Sequence, residues 1–385
     1  MKIIYCIRAT YNPGGMERVL LNKVSYLIKH LGWDILIVTT DQQGRPPFYP
    51  FPEKIRMVDL GVNYADDNSK NVFKKISGYL CRKRIHKKRL TALLQKEKAD
   101  IVISLYPSES SFLPDIKDGS KKVLELHFCK FFRLQYRRKG LLGWIDQWRT
   151  LQDESIVRKF DKFVVLTYED QRYWGLLPNI EVIPNAAMNM SGHFSDVTNH
   201  RIIAVGRLDY QKGFDRLIQA WDIIQKNQIY SDWHLDIFGQ GEWYDMLQSM
   251  IRERGLSETA HINKPTNSIG SEYAKSSLIV MTSNYEGFGM VLVEAMACGV
   301  PAIAFDCKCG PSDIIKDGEN GLLVHNGDIE GLAEAMMEVM DDEDYRKMLS
   351  QNARKVVATY SEETVMRKWI TLFESLVENI NKRNH

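Results

Sequence analysis

Several absences narrow what this chain can be. No apolar run approaches the roughly 18 residues needed to span a bilayer. The opening MKIIYCIRATYNPGG is too short and too poorly flanked for a signal peptide, and reads as a buried strand and loop. The six cysteines (Cys6, Cys81, Cys129, Cys298, Cys307, Cys309) show no zinc-site spacing, and Cys307 and Cys309 stand too close for the usual metal pattern. Reduced thiols in a bacterial cytosol are the expectation. There is no Asp-x-Asp at a strand end and no His/Cys cluster, so neither a metal nor another cofactor is expected. Tyr11-Asn12-Pro13-Gly14-Gly15 lacks the Gly-x-Gly-x-x-Gly of a nicotinamide dehydrogenase. No internal repeat or low-complexity segment is evident.

What is present is length and alternation. A chain of 385 residues suggests about two domains, each able to bury a full core. Strand candidates in the first half are Ile3–Ile7, Ile35–Thr39, Ile55–Leu60, Ile101–Leu105, Val123–Leu126, Phe163–Leu166 and Val182–Pro184. In the second half they are Ile202–Val205, His234–Phe238, Ala260–Asn263, Leu278–Met281, Ala302–Phe305 and Gly321–Val324. Helical signals separate them, which predicts an α/β fold of two doubly wound parallel sheets. The polar segment Met190–Asn199 is the best boundary, giving units 1–188, 189–360 and 361–385. In the last unit, Val365, Trp369, Leu372, Leu376 and Ile380 recur at spacings of three and four, an amphipathic helix.

The net charge of +2 conceals an asymmetry. Residues 1–190 carry 32 Lys and Arg against 20 Asp and Glu, whereas residues 191–385 carry 19 against 29. Only the basic half suits an anionic partner. Its cations concentrate in Lys70–Lys98, which reads as a helix, and in Lys130–Arg149, where Arg133, Arg137, Arg138 and Lys139 accompany Trp144 and Trp148. Such segments suit an anionic membrane surface. The aromatics taken alone read as core residues. Nothing resembles a module that reads nucleic acid, so no nucleic-acid partner is expected.

Two constellations carry chemistry. In Thr282–Ala304, Glu286 and Glu294 stand eight residues apart around Gly287-Phe288-Gly289, between two buried strands. The glycine loop opens a helix at about Met290 that Gly299 and Pro301 end, leaving backbone N–H groups for a phosphate. Two acidic acceptors beside such a cradle suit a nucleotide-sugar, although two glutamates on a helix are more often surface. Upstream, Ile202–Phe214 places Arg207 and Lys212 five residues apart in a loop after a strand. A guanidinium fork plus an ammonium suits a diphosphate.

GRLDYQKG followed by SNYEGFGMVLVEAMACGVP resembles the donor domain of the family 4 glycosyltransferases, retaining enzymes with the two-Rossmann-domain GT-B architecture. The amino-terminal Gly14–Arg18 and the segment DCKCGPSDIIKDGENGLLV fit as well, so the likeness covers essentially the whole chain. It is closest to members that build exopolysaccharide, capsule and lipopolysaccharide. The resemblance implies transfer of a hexosyl or N-acetylhexosaminyl unit from a nucleotide-sugar, most simply a UDP-sugar, to a lipid-linked or oligosaccharide acceptor. It further implies an amino-terminal acceptor domain, a carboxyl-terminal donor domain and a last helix that crosses back and couples cleft opening to closing. Arg207 and Lys212 would stabilise the leaving diphosphate, Glu286 would hold sugar hydroxyls and Glu294 the ribose. His127, at the end of KVLELHF, would contact the donor sugar. Gly14, Gly15 and Arg18 would lie near donor phosphates and acceptor, with Glu17 either catalytic or only a first-turn dipole partner. Gly239 and Gly241 would line the nucleotide site, although a simple tight turn explains them equally. Asn263-Lys264-Pro265 would hold the base. The expected location is cytoplasmic, peripheral on the inner face of the membrane. A sugar phosphorylase, a nucleotide-sugar epimerase and a noncatalytic sugar- or lipid-binding scaffold remain alternatives.

Overall fold

The computed structural model describes all residues except 65–71, 107, 137, 189, 191 and 382–385. Lys70 and Arg137, and the side chains of Phe73, Ile76 and Ile380, therefore lie outside the described residues.

Among the described residues, thirteen strands form where short apolar runs are expected. In the first lobe they are β1 (Lys2–Cys6), β2 (Asp34–Thr39), β3 (Arg56–Asp59), β4 (Ile101–Ser104), β5 (Lys121–Glu125), β6 (Lys162–Val165) and β7 (Ile180–Val182). In the second they are β8 (Arg201–Val205), β9 (His234–Phe238), β10 (Ala260–Asn263), β11 (Leu278–Met281), β12 (Ala302–Asp306) and β13 (Gly321–His325). Every pairing is parallel, in the orders β3-β2-β1-β4-β5-β6-β7 and β10-β9-β8-β11-β12-β13. Parallel strands need long crossovers, and helices covering both faces explain why the strands read as continuous apolar runs instead of alternating ones.

The first-lobe crossovers are α1 (Gly15–Leu31), α2 (Val72–Glu97), α3 (Gly140–Val157) and α4 (Tyr168–Trp174). The second lobe contributes α5 (Phe214–Gln225), α6 (Tyr244–Glu253), α7 (Ile269–Ala274), α8 (Met290–Ala297), α9 (Pro311–Ile314), α10 (Ile329–Asp341), α11 (Glu343–Ala353) and α12 (Val356–Tyr360). The chain closes with α13 (Glu362–Asn381). Among the described residues no helix is long and apolar enough to cross a membrane.

Each lobe has a core on both sheet faces. On one face of the first sheet, α2 and α3 bury Leu90, Leu94 and Val157. On the other, α1 and α13 cover β1, β2 and β4, so Val365, Trp369, Leu372 and Leu376 pack beside Ile3, Tyr5 and Ile35. The last helix thus returns from the second lobe to the first. Each of these large side chains contributes about 1.5–3 kcal/mol on burial, enough to hold the crossing.

Trp144 and Trp148 are not core residues. They are 63% and 49% exposed, and Leu151, next on the same stripe of α3, is exposed as well. The reason is periodicity: Asp146, Thr150, Asp153 and Val157 occupy the inward face of α3, and residues 144, 148 and 151 fall opposite them.

Candidate active site

Ligands of doubly wound sheets bind beyond the carboxyl ends of the strands, where the strand order reverses. In the second sheet that reversal lies between β8 and β11. The loops leaving those two strands are Gly206–Gly213 and Thr282–Gly289, so the two sequence motifs, far apart in the chain, become neighbours. Backbone and amide contacts clamp them together. Asn284 N donates to Gln211 O at 2.7 Å, Gln211 Nε2 donates to Tyr285 O at 3.2 Å and Thr282 Oγ1 donates to Lys212 O at 3.1 Å.

At their junction Lys212 Nζ lies 2.6 Å from Glu286 Oε1. Ser283 Oγ donates to the same oxygen at 2.5 Å. The Lys212 stem lies across Gly206, where a Cβ would come within 3.0 Å of its carbons. Glu286 is buried, and its backbone N and O bond to Lys308 O and Cys309 N at 2.8 and 3.1 Å, tying the site to the loop after β12. Ser283 and Gln211 are site residues that the sequence reading did not single out. Both sit beside residues it did name, but only the folded loops show what they hold.

Arg207 differs from Lys212. It is 69% exposed and turned to its own loop, with Nη2 2.7 Å from Gln211 Oε1 and 3.3 Å from Asp209 Oδ2. Gly239 and Gly241 pack against this loop from β9. A Cβ at either would overlap the carbonyl oxygens of Gly206 and Leu208 respectively, so their spacing follows from loop-on-loop contact. Lys264 is exposed at the carboxyl end of β10, the outermost strand on that side.

The helices that open onto the cleft share an entry. α1, α5 and α8 have Gly14, Gly213 and Gly289 as N-caps, with no side-chain cap. By contrast Thr167, Asp328 and Asp342 cap α4, α10 and α11 with side-chain oxygens. Glycine entries leave first-turn N–H groups available to an anion. At Gly289 the φ of 96° is a left-handed conformation that suits glycine. Phe288 turns its side chain into the core, 5.4 Å from the Tyr360 ring, and Met290 packs on the same core, so here the backbone faces the cleft.

The first lobe supplies the opposite wall. His127 follows β5, and a Cβ at Gly287 would overlap its carbonyl oxygen, so the lobes touch across the cleft at this point. A second contact runs from α4: Glu169 N donates to Asp313 Oδ2 at 3.1 Å, and Gly310 N to Glu169 Oε2 at 3.2 Å. Gly14 admits the Glu17 carboxylate where a Cβ would collide, while a Cβ at Gly15 would meet nothing. Burial raises the Glu17 carboxyl, against its own backbone N–H, Asn12 and the nearby His127. Glu294, on α8, is buried, with Tyr273 Oη 3.5 Å from Oε2. Burial pushes its carboxyl up to about 7, against the pull of the Arg18 guanidinium from the first lobe.

The site therefore unites Lys212, Glu286, Gly287, His127, Arg18 and Glu294, and leaves Lys264 at its margin. It offers cations and amides for a phosphate beside buried carboxylates for hydroxyls.

Residues 189–356 match the family described as Glycosyl transferases group 1. The chain is 30% identical to the amylovoran biosynthesis glycosyltransferase AmsD of Erwinia amylovora, over 96% of this chain and 98% of that protein. It is 24% identical, over 97% and 98%, to an alpha-1,4-N-acetyl-D-galactosaminyltransferase of Campylobacter jejuni named for a PP-undecaprenol-linked saccharide. Its fold matches the crystal structure of Anabaena HepE in complex with UDP at a TM-score of 0.74, covering 97% and 100% of the two chains at 16% identity. Likeness along the whole length and likeness of fold agree: this chain belongs to the group 1 glycosyl transferases and is a glycosyltransferase of the GT-B fold.

Proposed function

We propose that the protein transfers a hexosyl or N-acetylhexosaminyl unit, with retention at the anomeric carbon, from a UDP-sugar to a lipid-linked saccharide of cell-surface polysaccharide or lipopolysaccharide biosynthesis. The observation that carries this is the Lys212–Glu286 pair at the point where strand order reverses, next to the uncapped entry of α8. A diphosphate arriving there competes for the Lys212 ammonium and releases Glu286 to sugar hydroxyls. Arg207 needs only to swing from Gln211 and Asp209 to add a second cation. Front-face attack then lets the departing phosphate oxygen take the acceptor's proton, and the developing charge meets Lys212, Arg207 and the Gly287–Gly289 amides instead of a metal. AmsD by its name, the PP-undecaprenol in the Campylobacter enzyme's name and the UDP in HepE support the acceptor and donor classes. Purified protein given UDP-sugars and a lipid-linked acceptor should release UDP. Equal release by Arg207→Ala and Glu286→Ala would overturn this reading, and product analysis with free phosphate separates a phosphorylase or epimerase.

Glu294 is proposed to accept the ribose hydroxyls as a carboxylate. With its carboxyl raised to about 7, UDP affinity should weaken about tenfold per pH unit below that value, and Glu294→Gln should flatten the profile. The sign for stability is opposite. The native carboxyl keeps its proton where the unfolded one, at 4.5, has lost it, so Glu294 costs stability as pH rises from 4.5 to about 7. Calorimetry of Glu294→Gln against the parent at pH 4 and pH 8 reads this directly.

Docking is proposed on the cytoplasmic face of an anionic membrane. α2 and α3 cover the same face of the first sheet. Arg84, Lys87 and Lys88 are exposed on α2, while Arg82 and Arg89 bond the carbonyls of Val62, Leu60 and Gly61 and so serve the fold. The exposed Trp144, Trp148 and Leu151 add an apolar stripe suited to the interface. Each cation near such a surface adds about 1 kcal/mol, so Arg84→Gln, Lys87→Gln and Lys88→Gln together should weaken binding to phosphatidylglycerol vesicles about a hundredfold. Sedimentation with vesicles measures it, and unchanged binding removes the membrane from the account.

A further inference from the structure

Behind the cleft histidine lies buried charge that the transfer step does not use. Lys23, on the inner side of α1, places Nζ 2.5 Å from Glu125 Oε1, with side-chain exposures of 5% and 1%. The same oxygen lies 3.2 Å from His127 Nε2, whose side chain is 6% exposed. The Lys23 ammonium also sits 3.6 Å from the centre of the Trp369 indole on α13, the helix that crosses between the lobes. Buried charges persist only when paired, and here one carboxylate oxygen serves two donors. The other, Oε2, is buried without a partner among the described residues.

Burial alone would raise Glu125, but the Lys23 ammonium beside it, with His127 adding to the pull when protonated, outweighs that and holds the carboxyl below its ordinary range. An ionised carboxylate only accepts, so the hydrogen between Oε1 and Nε2 must belong to the imidazole. In neutral histidine the other nitrogen then carries a lone pair. Among the described residues His127 makes its ion-pair contact through Nε2 to Glu125, and no hydrogen bond from Nδ1 is found. Glu17, the next carboxyl near the ring, already accepts from Asn12 and from its own backbone.

We propose that the Lys23–Glu125 pair fixes His127 as the Nε2–H tautomer, so that the imidazole meets the cleft as an acceptor and takes a hydrogen bond from a substrate hydroxyl at Nδ1. Glu125 and Lys23 are positioning residues for the reaction, and Trp369 ties the lock to the crossing helix. The inference rests on the cleft being the transfer site, but the tautomer itself can be read without substrate.

The test is nitrogen NMR of the full chain labelled with 15N-histidine, at pH 8 where imidazoles are largely neutral. The chain has nine histidines, so a His127→Gln spectrum identifies the signal of interest. The expected result is a protonated Nε2 and a lone-pair Nδ1 in the parent. Glu125→Gln, whose amide can donate to Nε2, should move the population toward Nδ1–H. Lys23→Met should do the same by leaving Glu125 to take up a proton. UDP release from the active donor should fall about tenfold to a hundredfold in Glu125→Gln, the scale on which partners that orient an imidazole act. A parent His127 that is Nδ1–H or doubly protonated overturns the proposal. So does a Glu125→Gln protein whose tautomer has moved while its turnover has not. A correct tautomer in a protein that releases no UDP would instead overturn the transfer reading.

Discussion

Lys212→Met is expected to slow UDP release by about 10²- to 10³-fold, equivalent to roughly 3–4 kcal/mol of lost transition-state stabilisation. Methionine keeps the apolar stem that packs over Gly206, so the variant removes charge more than volume. The size of the effect decides between two roles. A solvent-exposed ion pair contributes only about 0.2–1 kcal/mol, which would appear as a fewfold change. Lys212 and Glu286 are instead 15% and 7% exposed at their side chains, with Ser283 sharing the carboxylate. Their field on a leaving phosphate is correspondingly less screened. Steady-state kinetics should show the loss in kcat, and the melting temperature should also drop because Glu286 is left buried without its cation, a drop that adding Glu286→Gln should relieve. Glu286→Gln keeps an acceptor for Lys212 and Ser283, and the double variant should lose less than the sum, because each residue acts through the other. A fall of less than tenfold in Lys212→Met would make the pair structural.

Gly287→Ala should be nearly as damaging for a geometric reason. A single Cβ there overlaps the His127 carbonyl oxygen and comes 3.3 Å from Phe128 Cα, both backbone on the opposite lobe. Backbone cannot rotate away, so the lobes must part by a fraction of an ångström to about one. A displacement on that scale costs about 100-fold in rate when reacting groups must align. Neither lobe's core is touched, so the melting temperature should stay within a degree or two while kcat collapses and UDP affinity falls by less, because Lys212, Glu294 and the α8 entry all lie on the second lobe. Parent-like turnover in Gly287→Ala would show that this contact is not part of the working conformation.

The strands were legible because residues buried on both faces must be apolar at every position, and runs such as Leu278–Met281 admit few other readings. The glycine entries were legible for a different reason: Gly213 and Gly289 occupy left-handed backbone where other residues are strained. Trp144 and Trp148 read as core from their type alone but lie exposed, because burial of an aromatic is a statement about its neighbours and α3 turns that face outward. Lys23 and Glu125 left weaker traces. A lysine beside Leu20, Val24 and Leu27 and a glutamate inside KVLELHF both interrupt apolar faces, but neither reveals that they meet across about a hundred residues of chain.

By itself the sequence determined the alternation of strands and helices, the separation of a basic half from an acidic half, and the family to which the chain belongs. The first two follow from local rules of side-chain period, backbone permissiveness and charge, and the family follows from the likeness of its motifs. Only the tertiary structure decided which side chains meet. Lys212 finds Glu286 and Gly287 finds His127 because parallel crossovers bring the carboxyl ends of distant strands to the cleft, and Lys23 finds Glu125 because α1 packs against the first sheet. Contact across the cleft is set by the packing of two sheets and a returning helix, and no window of residues along the chain contains it.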